Sequence, residues 1–139
     1  MQRFRVSLLA VVPFVAVLVG FGEPKHSKVD VKIGATKDKS VEVEFKVVAA
    51  TGKHVTDEGP WDLTLTNTNG LELAAPAKDG KVQIKAYDGK IPGFRLAGKP
   101  AVKDGKGEFT YALKAFICED DKTACYAEIH KGTVKWAAP

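Results

Sequence analysis

Cys118 and Cys125 are the two cysteines of the 139-residue chain, and they stand seven positions apart in "AFICEDDKTACYAEI", residues 115 to 129. Cysteines do three kinds of work: they brace a fold as a disulfide, ligate a metal as thiolates, or exchange their disulfide with another thiol. If the flanking segments form a regular hairpin, the two residues are direct neighbours across it. At a non-hydrogen-bonded position their Cα atoms would be about 4.5 Å apart, so a disulfide closes easily. A bond closing a loop of about eight residues stabilises by roughly 2.5 kcal/mol through chain entropy, a useful brace that a full-sized domain does not require. As a metal site, Cys118, Cys125 and His130 supply a C-x6-C-x4-H set that is one ligand short of a closed zinc site, and Met1 is the only methionine, which disfavours soft copper. No cofactor is implied. The pair is therefore read as a disulfide, either structural or redox-active.

Other candidates for chemistry are sparse. Beyond the N-terminal apolar run the serines are Ser27 and Ser40, both in polar surroundings, and the chain contains neither G-x-S-x-G nor H-E-x-x-H. His26, His54 and His130 are expected to be solvated or held by ordinary hydrogen bonds. Glu119, Asp120 and Asp121 crowd Cys118 with Lys122 as the nearby cation. Negative charge disfavours a thiolate, so the pair suits attack by a partner's thiolate rather than self-activation.

The elements that must position the pair are strands. Val29, Val31 and Ile33, then Val41, Val43, Phe45 and Val47, alternate at period two, and "WDLTLT" (61 to 66), "VQIKAY" (82 to 87), "GEFTYALKAFIC" (107 to 118) and "GTVKW" (132 to 136) continue the pattern. The Asn-Gly and Asp-Gly pairs of "TNTNG", "AKDGK", "YDGK" and "KDGKGE" are hairpin-turn chemistry. Seven or eight short strands at this spacing predict an all-β, immunoglobulin-like antiparallel β-sandwich, with a small barrel as the alternative. Phe45, Trp61, Phe109, Tyr111 and Trp136 are expected to carry its core. Phe109, Tyr111, Leu113, Ala115 and Ile117 share the core face, which turns Cys118 outward with Thr110, Lys114 and Phe116. The same register puts Glu128 and His130 inward with Val134 and Trp136. A β-bulge between His130 and Gly132 is expected to resolve that conflict.

The chain opens with Arg3 and Arg5 ahead of an apolar run from Val6 to about Gly20, the layout of a signal peptide over residues 1–22. That run of about 15 residues, interrupted by Pro13, is shorter than the roughly 20 that span a bilayer, so a membrane anchor applies only if the leader stays uncleaved. A polar tether at 23–28 and one domain at 29–139 follow. The formal charge of +4 includes Arg3 and Arg5, which leaves about +2 mixed along the domain and no footprint for nucleic acid. A periplasmic or secreted location is expected, where disulfides persist.

The stretch "FICEDDKTACY", residues 116 to 126, in a late aromatic-rich strand of an exported sandwich, resembles the N-terminal periplasmic domain of the DsbD thiol:disulfide interchange proteins. The resemblance implies a stand-alone immunoglobulin-like domain in which Cys118 and Cys125 carry reducing equivalents between periplasmic or membrane thiol-disulfide oxidoreductases. The alternative is a non-enzymatic binding or accessory domain with a structural hairpin disulfide.

Overall fold

The computed structural model describes residues 25–74, 78–85 and 87–138; the expected leader lies outside them. Among the described residues the chain forms nine strands and no helix. They are β1 (Ser27–Ala35), β2 (Val41–Ala49), β3 (Lys53–Val55), β4 (Asp62–Thr66), β5 (Leu71–Leu73), β6 (Lys81–Ile84), β7 (Gly93–Pro100), β8 (Lys106–Glu119) and β9 (Cys125–Ala137).

Two antiparallel sheets result. The first has the order β1-β2-β7-β5, and the second the order β3-β8-β4-β6, with β9 also paired to β8. Residues 110–114 of β8 pair with β4 and with β9 simultaneously, so these two lie on opposite edges of β8. β3 shares the β4 side, pairing Val55 with Ile117 and His54 with Cys118. Among the described residues no strand pairing joins the two sheets, and their apolar faces meet, which makes the fold a sandwich rather than a closed barrel.

The core follows from the period-two pattern. Val41, Val43, Phe45 and Val47 point inward from the first sheet, and Leu63, Leu65, Phe109, Leu113 and Ile117 from the second, all essentially inaccessible to water. Phe45 bridges the sheets, with its ring centroid 4.9 Å from that of Tyr111 and 6.5 Å from that of Phe109. Trp61 is buried against Tyr87 and Phe94, and Trp136 is buried too. Tyr111 is half-buried, so four of the five expected core aromatics are fully buried.

Three strands were not apparent in the residue pattern. β3 and β5 are three residues each, too short to display alternation, and β7 carries Gly93, Gly98 and Pro100. The strand expected at 82–87 is shorter, Lys81–Ile84. β8 and β9 are instead long, pairing without interruption from Lys106 with Ala137 to Cys118 with Cys125.

That continuity corrects one expectation. No bulge interrupts β9 at His130–Gly132. Glu128 and His130 keep their register opposite Ala115 and Leu113 and are buried on the core side, each 7% exposed. The polar side chains are accommodated because the start of β1 supplies partners for them. Gly132 serves a different purpose from the one expected: it lies opposite Tyr111, and a Cβ there would stand 2.9 Å from the Tyr111 ring.

Candidate functional site

Cys118 and Cys125 close the hairpin of β8 and β9 as directly opposed residues joined by a disulfide, with Cα atoms 4.0 Å apart. The connecting turn has a specific local cause. Lys122 adopts φ 61°, its N–H donates to the Glu119 carbonyl at 3.0 Å, and the Glu119 N–H donates to the Ala124 carbonyl at 2.9 Å. Asp121 accepts from the Thr123 N–H at 3.0 Å and the Thr123 hydroxyl at 2.6 Å, which holds its carboxyl below its ordinary pKa.

The disulfide sits on the outer face of the second sheet, as the side-chain parity of β8 requires. The two cysteines differ sharply in access: Cys118 is 6% exposed, while Cys125, the first residue of β9, is exposed. Cys118 has a strand on either side, whereas Cys125 lies on the strand whose far edge pairs with no other strand among the described residues. Next to it on the outer face, the loop from Thr56 to Pro60 crosses Phe116. Gly59 lies so close that a Cβ would stand 2.3 Å from the Phe116 ring. Along β9, Ala127 and Ile129 continue the outer face from Cys125, and Ile129 is 53% exposed.

The electrostatics differ from the picture of three acids crowding Cys118. Glu119 belongs to the opposite face, where its carboxylate lies 3.6 Å from Lys53 Nζ and accepts from the Tyr126 hydroxyl at 3.1 Å. That bond is the main cause that raises the Tyr126 phenol above its ordinary pKa. Asp121 is turned into the loop by Thr123. Asp120 alone reaches toward the disulfide face, and it accepts from His54 Nδ1 at 3.0 Å. His54 stands directly opposite Cys118 on β3.

A second polar group lies on the core side of β9. His26 stacks on Tyr126 with ring centroids 3.8 Å apart, and its backbone N–H donates to Glu128 Oε1 at 2.8 Å. The Ser27 hydroxyl donates to Glu128 Oε2 at 3.1 Å and accepts from His130 Nε2 at 2.9 Å. Burial pushes the His130 imidazole below its ordinary pKa, against the opposing pull of Glu128. Serine and carboxylate meet the same imidazole nitrogen, with Glu128 Oε2 3.7 Å from Nε2. In a hydrolytic triad the carboxylate takes the other nitrogen and orients the ring. The group is therefore a polar seam that ties β1 to β9 and not a nucleophile with its base.

His130 is thus separated from the cysteines by sheet face, so the three residues of the C-x6-C-x4-H spacing do not converge. Among the described residues no cluster of His, Cys, Asp and Glu could hold a metal ion. His54, which pairs with Asp120, is the member of the disulfide site that the residue pattern did not reveal. β3 is three residues long and 64 positions from Cys118, and only the observed pairing brings them together. No family model, characterised protein or solved structure matches the chain.

Proposed function

We propose that the domain is a thiol-disulfide exchange module in which Cys118 and Cys125 pass two electrons between partner oxidoreductases. The observation that carries this reading is the unequal access of the two cysteines in a disulfide placed outside the core. The bond joins strands already paired along their whole length, so it adds little to the architecture. It offers one accessible residue, Cys125, as the sulfur to be attacked, and one covered residue, Cys118, as the leaving group. In the delivering direction, the Cys125 thiolate attacks a partner disulfide and forms a mixed disulfide. Cys118 then attacks Cys125 Sγ, and the partner leaves as a dithiol after taking up two protons.

The resemblance of residues 116 to 126 to the interchange domains supports the same reading, as does an oxidised pair, the state favoured in an oxidising, extracytoplasmic compartment. Among the described residues no helix is long and apolar enough to cross a membrane. The exposed apolar strip formed by Ala127 and Ile129 beside Cys125 supplies surface against which a partner's active-site segment can pack.

The test is trapping. Cys118→Ser leaves Cys125 without its resolving thiol and should accumulate a mixed disulfide with an exported thioredoxin-fold oxidoreductase. Cys125→Ser, which leaves only the covered thiol, should accumulate much less. Absence of any mixed disulfide with either variant would contradict the proposal and leave the disulfide as a hairpin brace.

A further inference from the structure

The geometry points to His54, held by Asp120, as the proton donor to the Cys118 thiolate when the disulfide opens. This inference rests on the exchange reading for its purpose but on the strand order for its chemistry. Across the sheet the order at the disulfide is β3, β8, β9, so Cys118 lies between His54 and Cys125. Thiol-disulfide exchange is an in-line displacement: the attacking sulfur, the attacked sulfur and the leaving sulfur lie roughly on one line. Attack on Cys125 from the free edge of β9 therefore expels the Cys118 sulfur toward β3, where His54 stands.

The pairing places the two side chains together. His54 and Cys118 are directly opposed in an antiparallel pair flanked by the bonds from the Thr56 N–H to the Phe116 carbonyl, 3.0 Å, and from the Asp120 N–H to the Gly52 carbonyl, 3.0 Å. Opposed residues of a hydrogen-bonded pair have Cα atoms about 5.5 Å apart and side chains on one face. Asp120 accepts from Nδ1 at 3.0 Å, which assigns that nitrogen its proton and leaves Nε2 to exchange one. The ring is about half exposed, so it can be reprotonated from solvent.

The step balances. A partner thiolate forms a bond to Cys125 Sγ, the bond between Cys125 and Cys118 breaks, and the electron pair leaves on Cys118 Sγ. The imidazolium passes the Nε2 proton to that sulfur and becomes neutral. In the reverse direction, neutral His54 takes the proton from the Cys118 thiol and so raises the fraction of attacking thiolate. The charged groups on the segments that flank the pair are Asp120, Asp121 and Lys122 in the turn, Asp57 and Glu58 in the loop after β3, and Lys114, which lies over the Phe116 ring on the same face of β8; of these Asp120 contacts His54. Lys53, Glu119 and Tyr126 occupy the opposite face. Among the residues directly opposed to Cys118 on either neighbouring strand, His54 is the one that can carry positive charge.

The experiment uses the full chain and dithiothreitol as the reductant, with no partner needed. His54→Gln should slow reduction of the disulfide by about tenfold near neutral pH and raise the pKa of the Cys118 thiol, followed through thiolate absorbance in Cys125→Ser, by about one unit. Asp120→Asn should produce a smaller change in the same direction and shift the pH profile of the rate. Thermal unfolding of His54→Gln close to that of the parent separates these effects from a structural role. An unchanged rate profile and an unchanged thiol pKa in His54→Gln would overturn the inference while leaving trapping by Cys118→Ser intact. Failed trapping alongside an altered thiol pKa would overturn the exchange reading and keep the assignment of His54.

Discussion

Glu128 and His130 show how a single polar residue on a core face is made tolerable. A buried carboxylate or imidazole costs free energy unless its hydrogen bonds are met. Here the His26 N–H, the Ser27 hydroxyl and the two side chains meet one another. Truncating Glu128 to Ala strands the Ser27 and His26 donors, and urea unfolding should show a loss of about 1–3 kcal/mol. The pH dependence has a definite sign. Because the folded pKa of His130 lies below its ordinary value of about 6.5, the unfolded chain binds a proton that the folded chain refuses. The stability is fully present above about pH 6.5 and falls as pH drops through the interval down to the folded pKa. His130→Leu, opposite Leu113, should flatten that part of the urea-unfolding profile; an unaltered slope would show that another group governs it. None of this was legible from residue types alone. The alternation of β9 points Glu128 and His130 inward, but their partners lie about a hundred residues upstream, so a bulge that removes them from the core was expected instead, and β9 has none there.

At the scale of elements, the hairpin of β8 and β9 was the most legible part of the chain. Its long period-two stretch, its six-residue turn and its parity together placed the cysteines opposite one another and turned Cys118 off the core face, as observed. What the pattern could not supply was the cover on that face. The loop from Thr56 to Pro60 lies on Phe116 only because β3 and β4 occupy the same edge of β8, a long-range arrangement without a local signal. Gly59→Val should push this loop away, since the added atoms meet the Phe116 ring. A stability loss of about 1–3 kcal/mol is expected on thermal unfolding, together with faster reduction of the disulfide by dithiothreitol. The exposed strip on β9 gives a complementary prediction. Ile129→Asp should leave reduction by dithiothreitol unchanged but slow reduction by a protein dithiol such as thioredoxin by about fivefold or more. Equal effects on both reductants would remove the strip from the docking surface.

For the whole molecule, the alternating apolar runs and the Asp-Gly turns were enough to define an all-β sandwich, because burying one face of each strand leaves few other solutions. The number and order of strands were not, since β3, β5 and β7 earn their places through neighbours rather than through pattern. The sandwich has a continuous core that does not include the disulfide, so reduction should leave a cooperatively folded domain. The loss measured by urea unfolding should not exceed roughly 2.5 kcal/mol, the entropic value for so short a loop. A much larger loss would mark the bond as a structural necessity. The most direct test of its role is the reduction potential of the Cys118–Cys125 couple, equilibrated against glutathione. An exchange-active pair with an accessible Cys125 should lie above about −300 mV, within reach of partner oxidoreductases. A value well below about −300 mV, the range of inert structural bonds, would contradict the exchange function.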